Sequence, residues 1–164
     1  MLDFSNFKEL VGKYSECMEV FRLQKEWENE RAFQKLISLR TIIPKELYAM
    51  CLYKLFVTDT DEVLMDTLIE AFSGVDRKDI MFEEDLIKYE TFPDKITIYR
   101  GSQNPNEEKP RISWSLLRKV AMNFGPAHMF QATILKEDVI AYFSKNGDEE
   151  EILAVVGDNF EKIY

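Results

Sequence analysis

Apolar residues in the first part of the chain recur at intervals of three and four, which is the spacing of one face of an α-helix. This pattern predicts a helical stretch over residues 5 to 40. The densely charged segment 24–31 inside it indicates a solvated part of that helix, a kink or a break. A second helix is expected to start at Pro44, because proline fits the first turn of a helix. A third is expected over residues 61–72.

Beyond about residue 90 the helical period gives way to short runs of alternating and β-branched residues, which predict strands. The expected strands are 96–101, 112–115, 128–134, 139–143 and 149–156, and the expected short helices are 82–89 and 116–124. For 139–143 two interpretations stay open, a strand throughout or a helical turn at 136–138 before it. Residues 159–164 are expected to pair with the strand 149–156 as a hairpin.

The composition supports a folded chain with a substantial core. Of its 164 residues, 46% are hydrophobic and 13% are aromatic. We therefore predict an α+β fold with a helical region at residues 1–90 and a β-rich region at residues 91–164, packed together as one compact domain. The formal net charge of −9 argues against a nucleic-acid partner held through phosphate contacts, since such binding depends on basic patches.

Metal, disulfide and membrane functions are not expected from the residues present. Cys17 and Cys51 both lie on apolar helix faces, so buried free thiols are predicted rather than a disulfide framework or a zinc site. His128 is the only histidine, which argues against a metal site. The first residues show no signal-peptide pattern, and no run of about 18 apolar residues is present, so no membrane contact is expected and the predicted location is the cytoplasm.

Candidate chemistry starts at the end of the strand 96–101. Tyr99, Arg100 and Gly101 follow the alternating isoleucines and threonine directly. An arginine at a strand end offers a planar fork of donors suited to phosphate or carboxylate, and a glycine lets the backbone come close to another group. Taken alone, the same residues also fit a surface arginine beside a turn glycine.

Two further motifs flank later elements. Ser113 and Ser115 surround Trp114, and Ser115 is placed to cap the helix predicted over 116–124. Three glutamates then precede the apolar run of the strand 149–156, and on a strand Glu149 and Glu151 point to the same face. Two carboxylates on one face need a cation, a substrate or bulk water nearby. A solvated acidic turn is the alternative interpretation.

In this order, Arg100, Ser113-Trp114-Ser115 and Glu149-Glu150-Glu151 resemble the mono-ADP-ribosyltransferases with an Arg, Ser-Thr-Ser, Glu-x-Glu pattern. That class includes the cholera-type and clostridial binary toxins, as well as small bacterial and phage proteins. The resemblance covers about residues 90–156. Two departures stand out: Trp114 replaces the threonine, and the short interval before Ser113 implies a trimmed cofactor-covering loop.

The resemblance implies a split β-sheet with NAD⁺ bound between two small sheets. The expected activity is that of a glycosyltransferase that moves ADP-ribose from NAD⁺ to a target protein, most often to an arginine, and releases nicotinamide without a metal. A toxin or a phage-encoded modifier acting in the host cytoplasm would suit a chain of this size. A catalytically inactive binding module, with the helical region contacting a partner, and transfer to a nucleic acid are the alternatives.

The resemblance also assigns roles to the cofactor side of the site. Arg100, with Tyr99 before it, would hold the NAD⁺ pyrophosphate or the nearby ribose. The backbone of Gly101 would pair with the nicotinamide carboxamide. Ser113 would bind the nicotinamide ribose or orient the catalytic glutamate, and Ser115 would brace the motif.

The remaining roles concern the reaction and the acceptor. Glu151 would be the catalytic carboxylate, and Glu149 would position and help deprotonate the acceptor. Tyr142 and Phe143 would lie in the target-recognition turn and contact the acceptor. For Phe124 two roles stay open, packing near nicotinamide or packing in the core.

Overall fold

A computed structural model of the chain describes residues 1–58, 60–104, 106–125, 128–144 and 149–163. It contains two compact units, residues 1–83 and 84–164. The first is helical, and the second combines two helices with an antiparallel sheet. The division falls at the start of helix α7 (Glu83–Glu90), whereas the sequence prediction assigned those residues to the helical region.

The first unit is built from short helices. They are α1 (Phe7–Lys13), α2 (Glu16–Lys25), α3 (Asn29–Ser38), α4 (Lys45–Phe56), α5 (Met65–Phe72) and α6 (Arg77–Ile80). Helix α4 is buried along most of its length, since Leu47 to Leu52 are all inaccessible to solvent or nearly so. The buried free thiols predicted at Cys17 and Cys51 are confirmed.

The helical structure predicted over residues 5–40 is confirmed, but it consists of three helices. The chain breaks between α1 and α2 and again between α2 and α3, where Trp27 adopts a left-handed backbone conformation with φ 63°. The amides of Trp27 and Glu28 donate to the carbonyls of Gln24 and Leu23, which closes the end of α2. Of the alternatives left open for the charged segment 24–31, the break is therefore correct.

The second unit is organised around one antiparallel sheet. After α7 come β1 (Lys95–Gly101), β2 (Ser113–Ser115), α8 (Arg118–Phe124), β3 (Met129–Leu135), β4 (Ala141–Phe143), β5 (Glu151–Leu153) and β6 (Glu161–Ile163). A 3₁₀ turn at Lys136–Asp138 precedes β4, so the second of the two interpretations for this segment is correct. The six strands lie in the order β4-β5-β2-β1-β3-β6, and the sheet therefore belongs to a mixed α+β fold.

The junction between β2 and β1 is the weakest in the sheet. Among the described residues these strands share the single register pair Tyr99↔Ser115, whereas β1 and β3 are paired from Lys95↔Leu135 to Gly101↔Met129. The sheet thus consists of two three-stranded halves, β4-β5-β2 and β1-β3-β6, joined at one point.

The hairpin predicted between the strand 149–156 and residues 159–164 is wrong. Strand β6 pairs with β3 through Met129↔Ile163 and two further pairs, not with β5. The reason lies in the strand order: β5 is flanked by β4 and β2 and has no open edge, so the last strand joins the exposed edge of β3. Within the described part of the chain, no helix has the length and apolar character needed to cross a membrane.

Candidate functional site

The three motifs singled out from the sequence come together on neighbouring strands. Arg100 lies near the end of β1, Ser113 begins β2, and Glu151 begins β5, in the spatial order β5-β2-β1. Ser115 and Glu151 are directly opposed across β2 and β5, and Ser113 and Ser115 are two residues apart, so these two hydroxyls and the carboxylate share a face of the sheet. Tyr99 opposes Ser115, so the side chain of the next residue, Arg100, leaves β1 on the other face and reaches the site through the main chain of Ser113.

Ser113 connects the cation and the carboxylate. Its hydroxyl donates a 2.6 Å hydrogen bond to Oε1 of Glu151, and its main-chain carbonyl accepts a 2.9 Å bond from Nη1 of Arg100. Glu151 is only 7% exposed, so its charge depends on such donors rather than on bulk water. One serine thus links the two ends of the site.

The guanidinium of Arg100 also contacts an acidic side chain that the sequence did not indicate. Nη2 lies 3.3 Å from Oε1 of Glu107, a residue of the polar loop between β1 and β2. Only 17% of the Arg100 side chain and 10% of the Glu107 side chain are exposed. Nothing local in the sequence identifies Glu107, because it is one of two adjacent glutamates in a loop of solvated residues.

The backbone at Gly101 faces the opening between β1 and β2. The amide of Ser102 donates to the carbonyl of His128, so these residues form a hydrogen-bonded pair of the β1–β3 ladder. In an antiparallel ladder the next pair, Gly101↔Met129, directs its amide and carbonyl groups away from the partner strand. The Gly101 backbone groups therefore point towards β2.

Gly101 also allows a close approach of helix α8. A Cβ at Gly101 would lie 1.9 Å from the carbonyl oxygen of Ala121, and one at Gly125 would lie 2.0 Å from that of Ser102. Glycine is thus required at both positions for the end of β1 to lie against the end of α8. The expectation that Gly101 permits a close backbone contact is confirmed, and the partner is the helix.

The prediction that the Glu149–Glu151 segment forms a continuous strand is wrong. Glu151 is the first residue of β5, and Glu150 adopts a left-handed conformation with φ 47°. The chain bends there, so Glu149 does not share the strand geometry of Glu151. Burial, and then the nearby charge of Glu151, raise the pKa of the Glu149 carboxyl above its ordinary value.

Ser115 braces this bend but does not cap the following helix. Its hydroxyl donates to the main-chain carbonyl of Glu149 at 2.6 Å and accepts from the amide of Leu117 at 2.9 Å. Helix α8 consequently begins at Arg118, later than the predicted start at residue 116. Trp114 projects from the other face of β2 and is 2% exposed, so it belongs to the core.

The role in acceptor contact predicted for Tyr142 and Phe143 is contradicted. Both lie in β4 and are buried, at 0% and 1% exposure, because the strand is covered on both faces. Tyr142 instead donates a hydrogen bond to the carboxylate of Glu150 and packs edge-on against Phe92. Burial, followed by this contact with Glu150, raises the pKa of Tyr142. Residues 145–148, which follow this strand, lie outside the described residues.

Two aromatic residues with a predicted cofactor role, Phe124 and Tyr99, differ in their exposure to solvent. Phe124, at the end of α8, is 50% exposed, so the core role considered for it is wrong. Tyr99 is half-buried between its cross-strand neighbours Ser115 and Gln131. A cofactor role for either aromatic stays a prediction.

Asp85 anchors the end of β4 and was also missed. It is fully buried in α7, and its Oδ1 atom accepts from the amide of Ser144 at 3.1 Å and from its hydroxyl at 2.5 Å. Its Oδ2 atom is buried and has no hydrogen-bond partner among the described residues. Acidic residues are rarely buried, and Asp85 lies on an amphipathic helix, so the sequence gives no indication that its side chain is buried.

The second unit also contains a pocket with a volume of about 360 Å³. It lies at the end of β1 and β3 that is farthest from Arg100. Lys95, Leu135, Asp138 and Val155 are among its lining residues. It shares none of the motif residues. Over the ranges that the structure describes, no cluster of three or more histidine, cysteine or acidic side chains is arranged to hold a metal ion.

Comparison with protein-family models, with curated proteins and with solved structures gives no match to this chain.

Proposed function

We propose that the chain is an NAD⁺-dependent mono-ADP-ribosyltransferase, with its site at the junction of the two half-sheets. One observation carries the proposal: Ser113 joins Arg100 and Glu151 through its carbonyl and its hydroxyl. A cation for the pyrophosphate, a hydroxyl and a carboxylate for the ribose are the groups that this reaction requires. The split-sheet core that the resemblance implies is supported by the sparse pairing of β1 with β2, a single pair among the described residues.

The proposed binding mode follows from the groups at the junction. Arg100 would bind the pyrophosphate with charge-assisted hydrogen bonds. The amide and carbonyl of Gly101 point towards β2, which supports their pairing with the nicotinamide carboxamide. Phe124, half-exposed beside Gly125, could then pack near the nicotinamide ring.

The proposed reaction breaks the bond between C1′ of the ribose and the nicotinamide nitrogen. The bonding electrons leave with the nitrogen, so nicotinamide departs as a neutral molecule. Glu151 stabilises the positive charge that develops on the ribose, in the way that a carboxylate does in glycoside hydrolysis. An acceptor nitrogen then bonds to C1′, and its proton passes to Glu149 and on to solvent. The raised pKa of Glu149 suits a proton acceptor.

The test is label transfer from NAD⁺ carrying label on its adenylate portion, incubated with the purified chain and cell lysate. We expect labelled protein and released nicotinamide with the wild type, and neither with Glu151→Gln. Glu161→Gln, which removes an equal charge from exposed strand β6, is the matched control and should behave as the wild type. Absence of nicotinamide release from the folded wild type contradicts the proposal.

Glu149→Gln separates the two proposed roles of the acidic motif. If Glu149 serves the acceptor, this variant should still release nicotinamide by transfer to water but should label protein poorly. Equal loss of both reactions would place Glu149 in the cleavage step instead. Treatment of the labelled product with nuclease or protease identifies the acceptor class.

A second candidate function, an inactive binding module of the same fold, is favoured by the buried state of the site. Arg100 is already paired with Ser113 and Glu107, and Glu151 is 7% exposed. Such a module would bind a partner without cleaving NAD⁺. Partner capture that is equal for the wild type and Glu151→Gln, without nicotinamide release, supports it.

A further inference from the structure

The contact between Arg100 and Glu107 covers the cation of the proposed site. Glu107 belongs to the loop 102–110, in which Gln103, Asn104, Asn106, Glu108 and Lys109 are all exposed. The Glu107 side chain instead turns inward and keeps only 10% of its exposure. A polar loop has therefore placed one carboxylate against the guanidinium.

The pairing of these two charges is incomplete. Oε1 of Glu107 approaches Nη2 of Arg100 at 3.3 Å, a long distance for a charge-assisted bond. Nε of Arg100 and Oε2 of Glu107 are both buried, and neither atom has a hydrogen-bond partner within the described part of the chain. The Nε and Nη2 edge of the guanidinium can bind two oxygens side by side, but here it contacts one oxygen of Glu107. Such a buried pair recovers little of the free energy lost on removing both charges from water.

The described contacts that hold Glu107 and its neighbours over the arginine are polar. The carbonyl of Glu107 lies 2.8 Å from Nε2 of His128, and its amide donates to the carbonyl of Asn104 at 3.1 Å. Lys109 forms an ion pair with Asp158, but both side chains are more than two-thirds exposed, so this pair contributes little. Release of Glu107 therefore breaks polar contacts at the described positions of the loop.

We propose that Glu107 is an autoinhibitory latch that occupies the anion-binding edge of Arg100 in the free protein. The inference rests on the proposed function, from which it takes the role of Arg100 as the pyrophosphate ligand. A diphosphate supplies several charged oxygens, so it can fill the Nε and Nη2 positions that one carboxylate oxygen serves poorly. Binding of a diphosphate then requires the loop to release Glu107. The apparent affinity is the intrinsic affinity multiplied by the fraction of molecules in which Glu107 is released.

The test is equilibrium binding of inorganic pyrophosphate to the full chain, measured by titration calorimetry. Removal of one hydrogen-bonded charge should tighten binding about 10-fold to 100-fold in Glu107→Gln relative to the wild type. Glu108→Gln is the matched control, because it removes the same charge from the adjacent exposed position. It should change the affinity by less than about 2-fold, as expected for a solvated charge. Arg100→Gln combined with Glu107→Gln should abolish the gain.

Two results of the pyrophosphate titration would contradict the proposed role of Glu107. If Glu107→Gln binds pyrophosphate no tighter than Glu108→Gln, or binds it more weakly, then Glu107 orients Arg100 rather than covering it, and the latch is wrong. Failure of the wild type and of Glu107→Gln alike to bind pyrophosphate also counts against it.

Nicotinamide release separates failure of the latch from failure of the proposed function. Tighter pyrophosphate binding in Glu107→Gln without NAD⁺ cleavage by any variant supports the latch and contradicts the transferase. Cleavage that depends on Glu151 but is unaffected by Glu107→Gln, with unchanged pyrophosphate affinity, supports the transferase and overturns the latch.

A measurement on the wild type covers the case in which Glu107→Gln does not fold. The amides of Asn106 and Glu107 are both hydrogen-bonded to Asn104 in the latched loop. Saturating pyrophosphate should accelerate hydrogen exchange in the peptide spanning 102–110. Unchanged or slower exchange in the bound protein contradicts release of the loop.

Discussion

The hydroxyl of Ser113 donates a 2.6 Å hydrogen bond to the carboxylate of Glu151, from strand β2 to strand β5. These residues are separated by 38 positions in the sequence, and the strand order makes them neighbours. Since the carbonyl of Ser113 also accepts a bond from Arg100, this serine holds both charged groups of the candidate site.

Replacement of Ser113 by alanine should therefore affect stability and activity together. Loss of a donor to a largely buried carboxylate is expected to lower the free energy of unfolding by about 1–3 kcal/mol. Nicotinamide release should fall because Glu151 loses one of the groups that orient it. Urea unfolding and a nicotinamide assay provide the two measurements. Ser113→Thr keeps the hydroxyl and should recover part of both losses; an alanine variant with wild-type stability and turnover contradicts the role of this bond.

The close approach of β1 and α8 predicts opposite effects for two glycine substitutions. Gly101→Ala places a methyl group 1.9 Å from the Ala121 carbonyl oxygen, so it should destabilise the chain by about 3 kcal/mol or more. Gly12→Ala, in helix α1, has no atom within 4 Å of the new Cβ and should stabilise by about 0.5–1 kcal/mol through better helix propensity. Urea midpoints of the two variants, measured beside the wild type, should move in opposite directions.

The buried hydroxyl of Tyr142 makes a prediction about alkaline pH. Its pKa is raised in the folded chain, first by burial and then by Glu150, so the unfolded chain loses this proton at lower pH than the folded chain. The tyrosine therefore contributes stability that is complete below about pH 10 and is lost as the pH rises through the folded pKa.

Tyr142→Phe keeps the ring against Phe92 and removes the bond to Glu150. At neutral pH this substitution should lower the free energy of unfolding by about 1.5–3 kcal/mol, the usual contribution of a hydrogen bond to a charged group. The difference in unfolding free energy between the variant and the wild type should become smaller above about pH 10. Unfolding free energies measured across this range check both expectations, and a difference that widens with rising pH contradicts the assignment.

The two cysteines should be unreactive in the folded chain. Burial raises the pKa of both Cys17 and Cys51, and the thiolate is the form that reacts with disulfide reagents. At neutral pH a chromogenic disulfide reagent should label neither thiol in the native protein and both after unfolding in urea. Glutathione under the same conditions is the control for reagent activity. Rapid labelling of one thiol in the native protein contradicts this expectation.

Much of the site could be predicted because its signals are local. The alternation of Ile96 and Ile98 predicted β1 and placed Arg100 near its end, where the structure has it. The apolar run after the glutamates predicted β5, although the strand begins at Glu151 and not at the predicted residue 149. The serine motif fell on a short strand for the same reason. A period of two, together with a turn, is a property of neighbouring residues, so a sequence displays it directly.

The features that were missed depend on contacts between distant residues. The edge that accepts β6 is decided by which strands already flank β5, and the burial of Asp85 depends on Ser144. The left-handed backbone of Glu150 is held by Tyr142 and by the bracing of Glu149, and nothing about glutamate favours that conformation. The pairing of Glu107 with Arg100 is equally invisible in a run of polar loop residues.

The interleaved strand order constrains how the junction between the half-sheets can open. The chain crosses from one half to the other on going from β1 to β2, from β2 to β3, from β3 to β4 and from β5 to β6. These four crossings oppose outright separation of the halves, so an opening of their junction should be a rotation about the Tyr99↔Ser115 pair. No single backbone cut can divide the sheet into its halves, and neither half can be produced as a continuous fragment.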